Sequence, residues 1–307
     1  MEIISKDHFF RPDDEIAATV GFFDGVHAGH RFLLKQLKIQ ADVRRLPSMV
    51  ITFLRHPQSV LQTGFQPELL NTFIERIERL SLSGIDYCLP VDFSQSLAQM
   101  NAKEFIQKKL KEEWHVKLLL IGYDHRFGKN RAEGFEDYVK YGKECEMEVI
   151  RALELPHISV SSTYIRNHLL GKNVKEANRM LSYFYRLEGK VIDGNHLGRK
   201  IGFPTANLEV NDKSKIIPSE GIYASRVYHK QEKYDGMVYI GKRPTVTISG
   251  EKRIEVHLFN FSGDLYGETL QLEFVEFLRE DKQFESVEDL KKQLVADREA
   301  AVTVLAE

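Results

Sequence analysis

The stretch Val20-Gly21-Phe22-Phe23-Asp24-Gly25-Val26-His27-Ala28-Gly29-His30 joins an apolar run to a helical pattern through a glycine-punctuated turn carrying two histidines. Upstream, Glu15 to Phe23 reads as a buried strand that stops at Asp24-Gly25. Downstream, Phe32, Leu33, Leu34, Leu37 and Ile39 recur at roughly helical spacing. A helix that starts after such a turn offers free N–H groups and the positive end of its dipole, which suits a phosphate. His27 and His30 could add donors to the same anion. Two other readings stay open from the residues alone. Both could be ordinary turn histidines, or zinc ligands, although catalytic zinc needs a third protein ligand and no Cys or His cluster supplies one.

The bulk numbers leave room for two domains. The chain has 307 residues, with 43 Lys plus Arg against 45 Asp plus Glu. That balance offers no global field to recruit nucleic acid or an anionic membrane, so anion binding must be local. Cys88 and Cys145 are the two cysteines, which excludes a disulfide framework and fits a reducing compartment. The N-terminus lacks a signal-peptide pattern and no apolar stretch approaches the roughly 18 residues of a membrane span. The expected setting is cytoplasmic, with small-molecule substrates; oligomeric state is not legible.

The first half alternates apolar runs with helical patterns. Ser48 to Leu54, Ile85 to Val91, Val116 to Gly122 and Met147 to Ile150 read as strands. Thr72 with Glu75 opens a helix as a capping box, Gly84 closes it, and Asn101 to Trp114 is a further amphipathic helix. Such alternation predicts a parallel sheet covered on both faces, with ligands at the carboxyl ends of its strands. Two segments there are basic or hydroxyl-rich: Gly122-Tyr123-Asp124-His125-Arg126-Phe127-Gly128-Lys129-Asn130-Arg131 and His157 to Arg166. A solvated loop and an N-capped helix are the plain alternatives for them.

From Tyr183 the grammar changes. Tyr185 to Ile192, Gly221 to Tyr228, Tyr234 to Ile240, Arg253 to Phe261 and Thr269 to Leu278 follow one another as strands without helices between, predicting a small antiparallel barrel or sandwich. Ser286-Val287-Glu288-Asp289 opens a terminal helix, and the boundary between domains is placed at Ser182-Tyr183. Gly198-Arg199-Lys200-Ile201-Gly202-Phe203-Pro204-Thr205-Ala206-Asn207 combines glycines, cations and oxygen donors suited to phosphate or Mg²⁺, though alone it also reads as a basic surface turn.

His27-x-Gly29-His30 resembles the signature of the nucleotidylyltransferases, and the longer Gly21 to His30 form resembles the branch that adenylylates FMN in prokaryotic bifunctional riboflavin kinase/FAD synthetases. Ser161-Ser162-Thr163-x-Ile165-Arg166 is similar to that family's second nucleotide signature. The Gly122 to Arg131 segment resembles its flavin-and-nucleotide loop, with His125 where an aromatic is usual. Thr52-Phe53-x-x-His56-Pro57 resembles its Thr-Phe-x-Pro-His-Pro, with Arg55 replacing the first proline. In the second half, Gly202-Phe203-Pro204-Thr205-Ala206-Asn207, Pro218-x-x-Gly221-Ile222-Tyr223-Ala224, Gly241-x-Arg243-Pro244-Thr245, Glu255-x-His257, Leu265-Tyr266-Gly267, Leu278-Arg279 and Lys282-x-Phe284 are similar to riboflavin kinase motifs.

The resemblance implies a Rossmann-like α/β nucleotidylyltransferase domain over 1–182, adenylylating FMN to FAD with loss of pyrophosphate. It implies a small antiparallel β-barrel riboflavin kinase domain with a terminal helix over 183–307, making FMN. ATP is the co-substrate of both steps, with Mg²⁺. In the kinase, Glu255 would be the general base, Thr205 and Asn207 would hold the metal-nucleotide, and Gly198, Lys200 and Gly202 would meet phosphates. In the adenylyltransferase, His27, His30, Ser161, Ser162, Thr163 and Arg166 would stabilise phosphate charge. Gly21, Phe23, Asp24, Gly25 and Asp124 would complete nucleotide binding. His56, His125, Arg126, Phe127 and Arg279 are the flavin-side residues. An adenylyltransferase whose barrel only binds flavin, or a non-enzymatic flavin-binding regulator, are the alternatives to be separated.

Overall fold

The computed structural model describes residues 1–4, 14–62, 64, 66–123, 125–154, 160–194, 197–242 and 252–306. The chain divides into two compact units, Met1–Ser161 and Ser162–Glu307.

In the first unit the strands are β1 (Glu2–Ile3), β2 (Ile16–Val20), β3 (Ser48–Phe53), β4 (Tyr87–Val91), β5 (Val116–Ile121) and β6 (Glu148–Arg151). They form a six-stranded sheet in the order β1-β4-β3-β2-β5-β6, and every pairing is parallel. All positions of β2 and β3 are buried, which is why these segments read as unbroken apolar runs. β1 is too short and exposed to carry such a pattern.

Strand order reverses direction between β2 and β5, and the crevice outside the carboxyl ends at such a switch point is where open α/β sheets take ligands. The Gly21 to His30 turn leaves β2 there, and Gly122 to Arg131 leaves β5.

Helix entries follow the expected chemistry. Thr72 accepts from Glu75 N at 3.2 Å while Glu75 accepts from Thr72 N at 2.9 Å, opening the helix Phe73–Ser81. A cap of this kind contributes about 1 kcal/mol. The expected helix Asn101 to Trp114 opens the same way, with Asn101 and Glu104, and then widens over Phe105–Glu113 to i→i+5 bonding, as in Trp114 N donating to Lys109 O at 2.9 Å. Phe105, Ile106 and Leu110 remain buried through the wider turns.

The second unit begins with the helices Ser162–Leu170 and Val174–Leu181. A closed barrel follows, built from β7 (Tyr185–Ile192), β8 (Ala206–Glu209), β9 (Gly221–His229), β10 (Glu232–Lys242), β11 (Lys252–Leu258) and β12 (Thr269–Arg279) in the order β10-β11-β8-β7-β12-β9. All its pairings are antiparallel. β7 alternates buried and more exposed residues, the pattern of one face turned to a core. β8 is a strand that the sequence does not announce, because it is only four residues long and its first two, Ala206 and Asn207, end the basic turn motif.

Asn178 of the preceding helix donates to Phe274 O at 2.8 Å and accepts from Tyr185 N at 2.7 Å, tying the helix Val174–Leu181 to the barrel. Ser286 caps the helix Val287–Leu305, whose Ala301 and Leu305 pack with Ile222, Met237 and Phe259. Each large apolar side chain buried this way stabilises by about 1.5–3 kcal/mol.

Candidate active sites

In the first unit the turn after β2 bends sharply. Phe23 has φ 58°, Gly25 φ 81° and Val26 φ 36°, the left-handed region that only glycine enters freely. This conformation aims His27 to cap the helix Ala28–Arg44, its Nδ1 accepting from His30 N at 3.3 Å. With Nδ1 an acceptor, the ring N–H of His27 is on Nε2. The two imidazoles stack at 3.6 Å, tilted by 15°. Burial, then the neighbouring His27 and His125 rings, hold the His30 imidazole well below its ordinary value. His30 is therefore neutral at pH 7, with an N–H to donate and no positive charge.

Around this pair the structure rearranges part of the expected set. Gly21 and Gly25 are buried in the turn. Asp24, expected among the nucleotide ligands, is 4% exposed and turns its carboxylate to Leu70 N at 3.0 Å and Asn71 N at 3.2 Å. It braces the turn because backbone amides offer a buried carboxylate better compensation than an anionic ligand would. His56 caps the helix Pro57–Leu61, accepting from Gln58 N, and meets the Phe22 ring edge-on at 4.7 Å. Arg55 forks onto Asp92 at 2.8 and 3.1 Å, so the residue that replaces a proline pins the end of β3 to the end of β4. His125 is half-buried and Arg126 exposed. Phe127, expected on the flavin side, stacks on Tyr138 at 4.2 Å and packs with Phe105 in the core. Asp124 lies outside the described residues. In the second unit, Ser162, Thr163 and Arg166 stand on the first turns of the helix Ser162–Leu170.

The barrel holds a cavity of about 280 Å³ whose walls include Phe203, Ile222, Met237 and Leu294, with Thr205, Asn207, Arg253 and Glu255 grouped on one side. Asn207 and Glu255 face each other across β8 and β11, and Tyr239 faces Glu255 across β10 and β11. Thr205 Oγ1 donates to Glu255 Oε2 at 3.1 Å, Arg253 forms an ion pair with Glu255 Oε1, and Arg253 Nε donates to Asn207 Oδ1 at 3.4 Å. Glu255 is 15% exposed, so the face of β11 that bears it is covered and not solvated. The barrel-side neighbours Ile254, Val256 and Leu258 are buried, and Phe259 packs beneath the terminal helix.

Further residues fix the rim. His257 Nδ1 lies 2.7 Å from the Pro204 carbonyl, and burial pushes its imidazole below the usual range. That contact anchors the loop carrying Thr205. Gly198 runs so close to the Phe203 carbonyl that a Cβ there would lie 2.2 Å from it, which only glycine permits. Gly202 follows with φ 86°, and the Lys200 side chain lies outside the described set, as do Arg243, Pro244 and Thr245. Tyr239 donates to Asp281 at 2.9 Å, and burial with that bond pushes its phenol up to about 12. Arg279, expected on the flavin side, lines the cavity and forks onto buried Asp297 through Nε and Nη2 at 2.7 Å each, while its Nη1 donates to the Glu280 carbonyl at 2.8 Å.

Comparison with known proteins then decides the family. The family model for FAD synthetase matches residues 10–164 and that for riboflavin kinase residues 181–305. A bifunctional riboflavin kinase/FMN adenylyltransferase of Haemophilus influenzae is 36% identical over 93% of this chain and 92% of its own length. The chain belongs to the bifunctional riboflavin kinase/FMN adenylyltransferase family. Its Escherichia coli K12 member is 35% identical over 93% of this chain and 91% of its own. Among solved structures, a Streptococcus pneumoniae chain described as a macrolide-efflux protein shares the fold of this family member throughout, with a TM-score of 0.85, 32% identity and coverage of 98% of this chain and 99% of that one. Among the described residues, no helix is long and apolar enough to cross a membrane.

For this riboflavin kinase/FMN adenylyltransferase, sequence reasoning misses Arg253, Tyr239, Asp297 and Arg76. Arg253 had a signal, since a period of two puts it on the same strand face as Glu255. Tyr239 and Asp297 reach their partners only through barrel closure and helix docking. Arg76 sits on a capped helix that reads as amphipathic, yet it is 1% exposed.

Proposed function

We infer that the chain carries out two successive ATP-dependent reactions, phosphorylation of riboflavin to FMN in the barrel and adenylylation of FMN to FAD in the α/β unit. The functional halves are proposed as 1–182 and 183–307, with the helices Ser162–Leu170 and Val174–Leu181 of the first half packed into the same compact unit as the barrel.

The observation that carries the kinase reading is the Thr205–Glu255–Arg253–Asn207 group at the edge of an apolar cavity. Apolar walls suit a flavin ring system, and the polar edge suits the end of the chain that reacts. The ribityl 5′-hydroxyl loses its proton as it attacks the γ-phosphorus, and ADP leaves; Glu255 is the proposed acceptor of that proton. Thr205 and Arg253 orient its two oxygens. The donor set of hydroxyl, amide and carboxylate oxygens fits a hard cation, and Thr205 and Asn207 would hold Mg²⁺, which supplies charge neutralisation on the phosphates. No cluster of three or more His, Cys, Asp or Glu side chains suited to a metal occurs among the described residues, so such an ion would take most of its ligands from nucleotide and water.

In the second reaction an FMN phosphate oxygen attacks the α-phosphorus and pyrophosphate leaves. The nucleophile is already anionic, so no base is needed; N–H donors must meet the growing charge, and His27 and His30 are proposed for that role. For Ser161, Ser162, Thr163 and Arg166 the support is the sequence signature. His125, Arg126 and His56 are proposed on the flavin side of this site. A cytoplasmic setting is part of the proposal, supported by the free thiols of Cys88 and Cys145.

A barrel that merely bound flavin, or a regulator without catalysis, would need neither a proton acceptor nor the paired oxygen donors beside it. Chromatography of flavins after incubation with riboflavin, ATP and Mg²⁺ tests the assignment. FMN followed by FAD is expected; FAD formed from supplied FMN but never FMN from riboflavin would leave only the adenylyltransferase.

A further inference from the structure

Arg76, on the helix Phe73–Ser81, is the largest fully buried side chain of the described residues. Its guanidinium lies 4.0 Å from the centroid of the Phe22 ring and 5.5 Å from that of Phe73. Its Nη2 donates to the carbonyl of Phe53, the last residue of β3, while Phe22 follows the end of β2. Thr52 Oγ1 donates to the Phe22 carbonyl at 3.1 Å, and the other edge of the Phe22 ring meets His56 at 4.7 Å. The buried Nε of Arg76 has no hydrogen-bond partner.

A charged group enclosed this way is a poor choice for packing alone. An apolar side chain of similar length would fill the space without an orphaned donor or a desolvated charge. Burial lowers the guanidinium to about 10, with Asp24 opposing that shift, so it stays charged at neutral pH. What the planar cation does that an apolar chain cannot is hold one aromatic face flat while an N–H of the same plane hydrogen-bonds the neighbouring strand. Both contacts fall at the carboxyl ends of β2 and β3, on the ligand side of the sheet.

We propose that Arg76 is a positioning residue for FMN in the adenylylation reaction: stacked on Phe22 and bonded to Phe53, it fixes the Phe22–His56 wall against which the flavin is seated. This rests on reading the first unit as the FMN-adenylylating site with His56 on its flavin side. Arg76 touches neither substrate; it acts through Phe22.

The test is steady-state adenylylation by the full chain with FMN and Mg²⁺-ATP varied separately. Arg76→Met should raise the KM for FMN roughly tenfold or more, the scale of a desolvated cation–π contact, while kcat and the KM for ATP stay within about twofold. Arg76→Lys, which keeps charge but loses the plane, should fall between. Phe22→Leu removes the stacking partner without touching the buried charge and should reproduce the FMN effect, which covers the case that Arg76→Met fails to fold. A lowered melting temperature with unchanged KM for FMN in both variants would make the arginine merely structural and overturn the proposal. If His56→Ala raises the KM for FMN and the Arg76 and Phe22 variants do not, the proposal falls and the site reading stands. If none of the three positions moves it, the reading of this wall as flavin-facing falls and takes the proposal with it.

Discussion

Thr205 and Glu255 come from segments 50 residues apart, yet the Thr205 hydroxyl donates to a Glu255 carboxylate oxygen at 3.1 Å. The barrel achieves this by pairing β8 with β11, which sets Asn207 opposite Glu255, while His257 holds the Pro204 carbonyl and so fixes the loop from which Thr205 reaches in. A hydrogen bond to a charged group is worth about 1.5–3 kcal/mol. Thr205→Ala should therefore slow riboflavin phosphorylation by roughly ten- to a hundredfold, with Thr205→Ser restoring most of it. Adenylylation of supplied FMN is the internal control and should not change. Equal turnover of Thr205→Ala and the parent chain would remove Thr205 from the site.

His27 both caps a helix and faces its stacked partner His30, so its two jobs must be separated. Asn is itself a strong helix cap, and His27→Asn should keep the melting temperature while adenylylation falls. Combined with His30→Ala, FAD formation should be lost, since each donor to a developing anion is typically worth about 2.7–4 kcal/mol. Kinase turnover should persist. FAD formation at the parental rate in the double variant would return both residues to the role of turn histidines.

Acid should destabilise the first unit in a defined direction. The folded state holds His30 well below its ordinary value of 6.5, so the unfolded chain binds the proton first as pH falls. Stability is therefore full above about pH 6.5 and declines below it, until the folded imidazole also protonates. His257, lowered by burial, adds to the same trend in the barrel. Thermal melts between pH 7.5 and 5 should show a falling midpoint, and His30→Asn should flatten the part that belongs to the α/β unit. A His30→Asn slope as steep as the parent's would contradict the burial argument.

The kinase unit should stand alone when cut where the structure divides, at Ser161/Ser162. Asn178, bonded to Phe274 and Tyr185, and Ser219, bonded to the carbonyls of Leu169 and Leu170, show why the two helices before the barrel belong in the fragment. Residues 162–307 should be folded, convert riboflavin to FMN and make no FAD. A folded fragment that binds riboflavin but never phosphorylates it would place the kinase elsewhere.

Much of this architecture is written locally. The capping box at Thr72 and Glu75, the strand Tyr185–Ile192 and the terminal helix opened by Ser286 form where propensity and period put them. What is not legible comes from contacts between distant segments. Asp24 looks like part of a nucleotide turn, but its carboxylate is used by the amides of Leu70 and Asn71, which no local pattern reveals. Phe127 lies in a loop motif yet folds back onto Tyr138. Nothing in the local pattern singles out Arg76, which is enclosed because Phe22, just past β2, and the carbonyl of Phe53, at the end of β3, meet it. In the second half, strand alternation identifies the face of Glu255, whereas the cavity that this face lines takes Leu290 and Leu294 from the distant helix Val287–Leu305. The motifs are legible, and the partners that their side chains meet are supplied by topology.

Two chemistries at two separate sites on one chain should come apart in Glu255→Gln. The substitution keeps the shape of the side chain and an oxygen for Thr205, and removes the carboxylate that accepts the proton. General-base assistance is usually worth about 10²–10⁴ in rate. Flavins should be followed by chromatography in parallel incubations of this variant, one given riboflavin and the other FMN, each with Mg²⁺-ATP. FMN formation from riboflavin should fall by that order at saturating substrate while FAD forms from supplied FMN at the parental rate. Near-parental phosphorylation of riboflavin, or loss of both reactions in a folded variant, would contradict it.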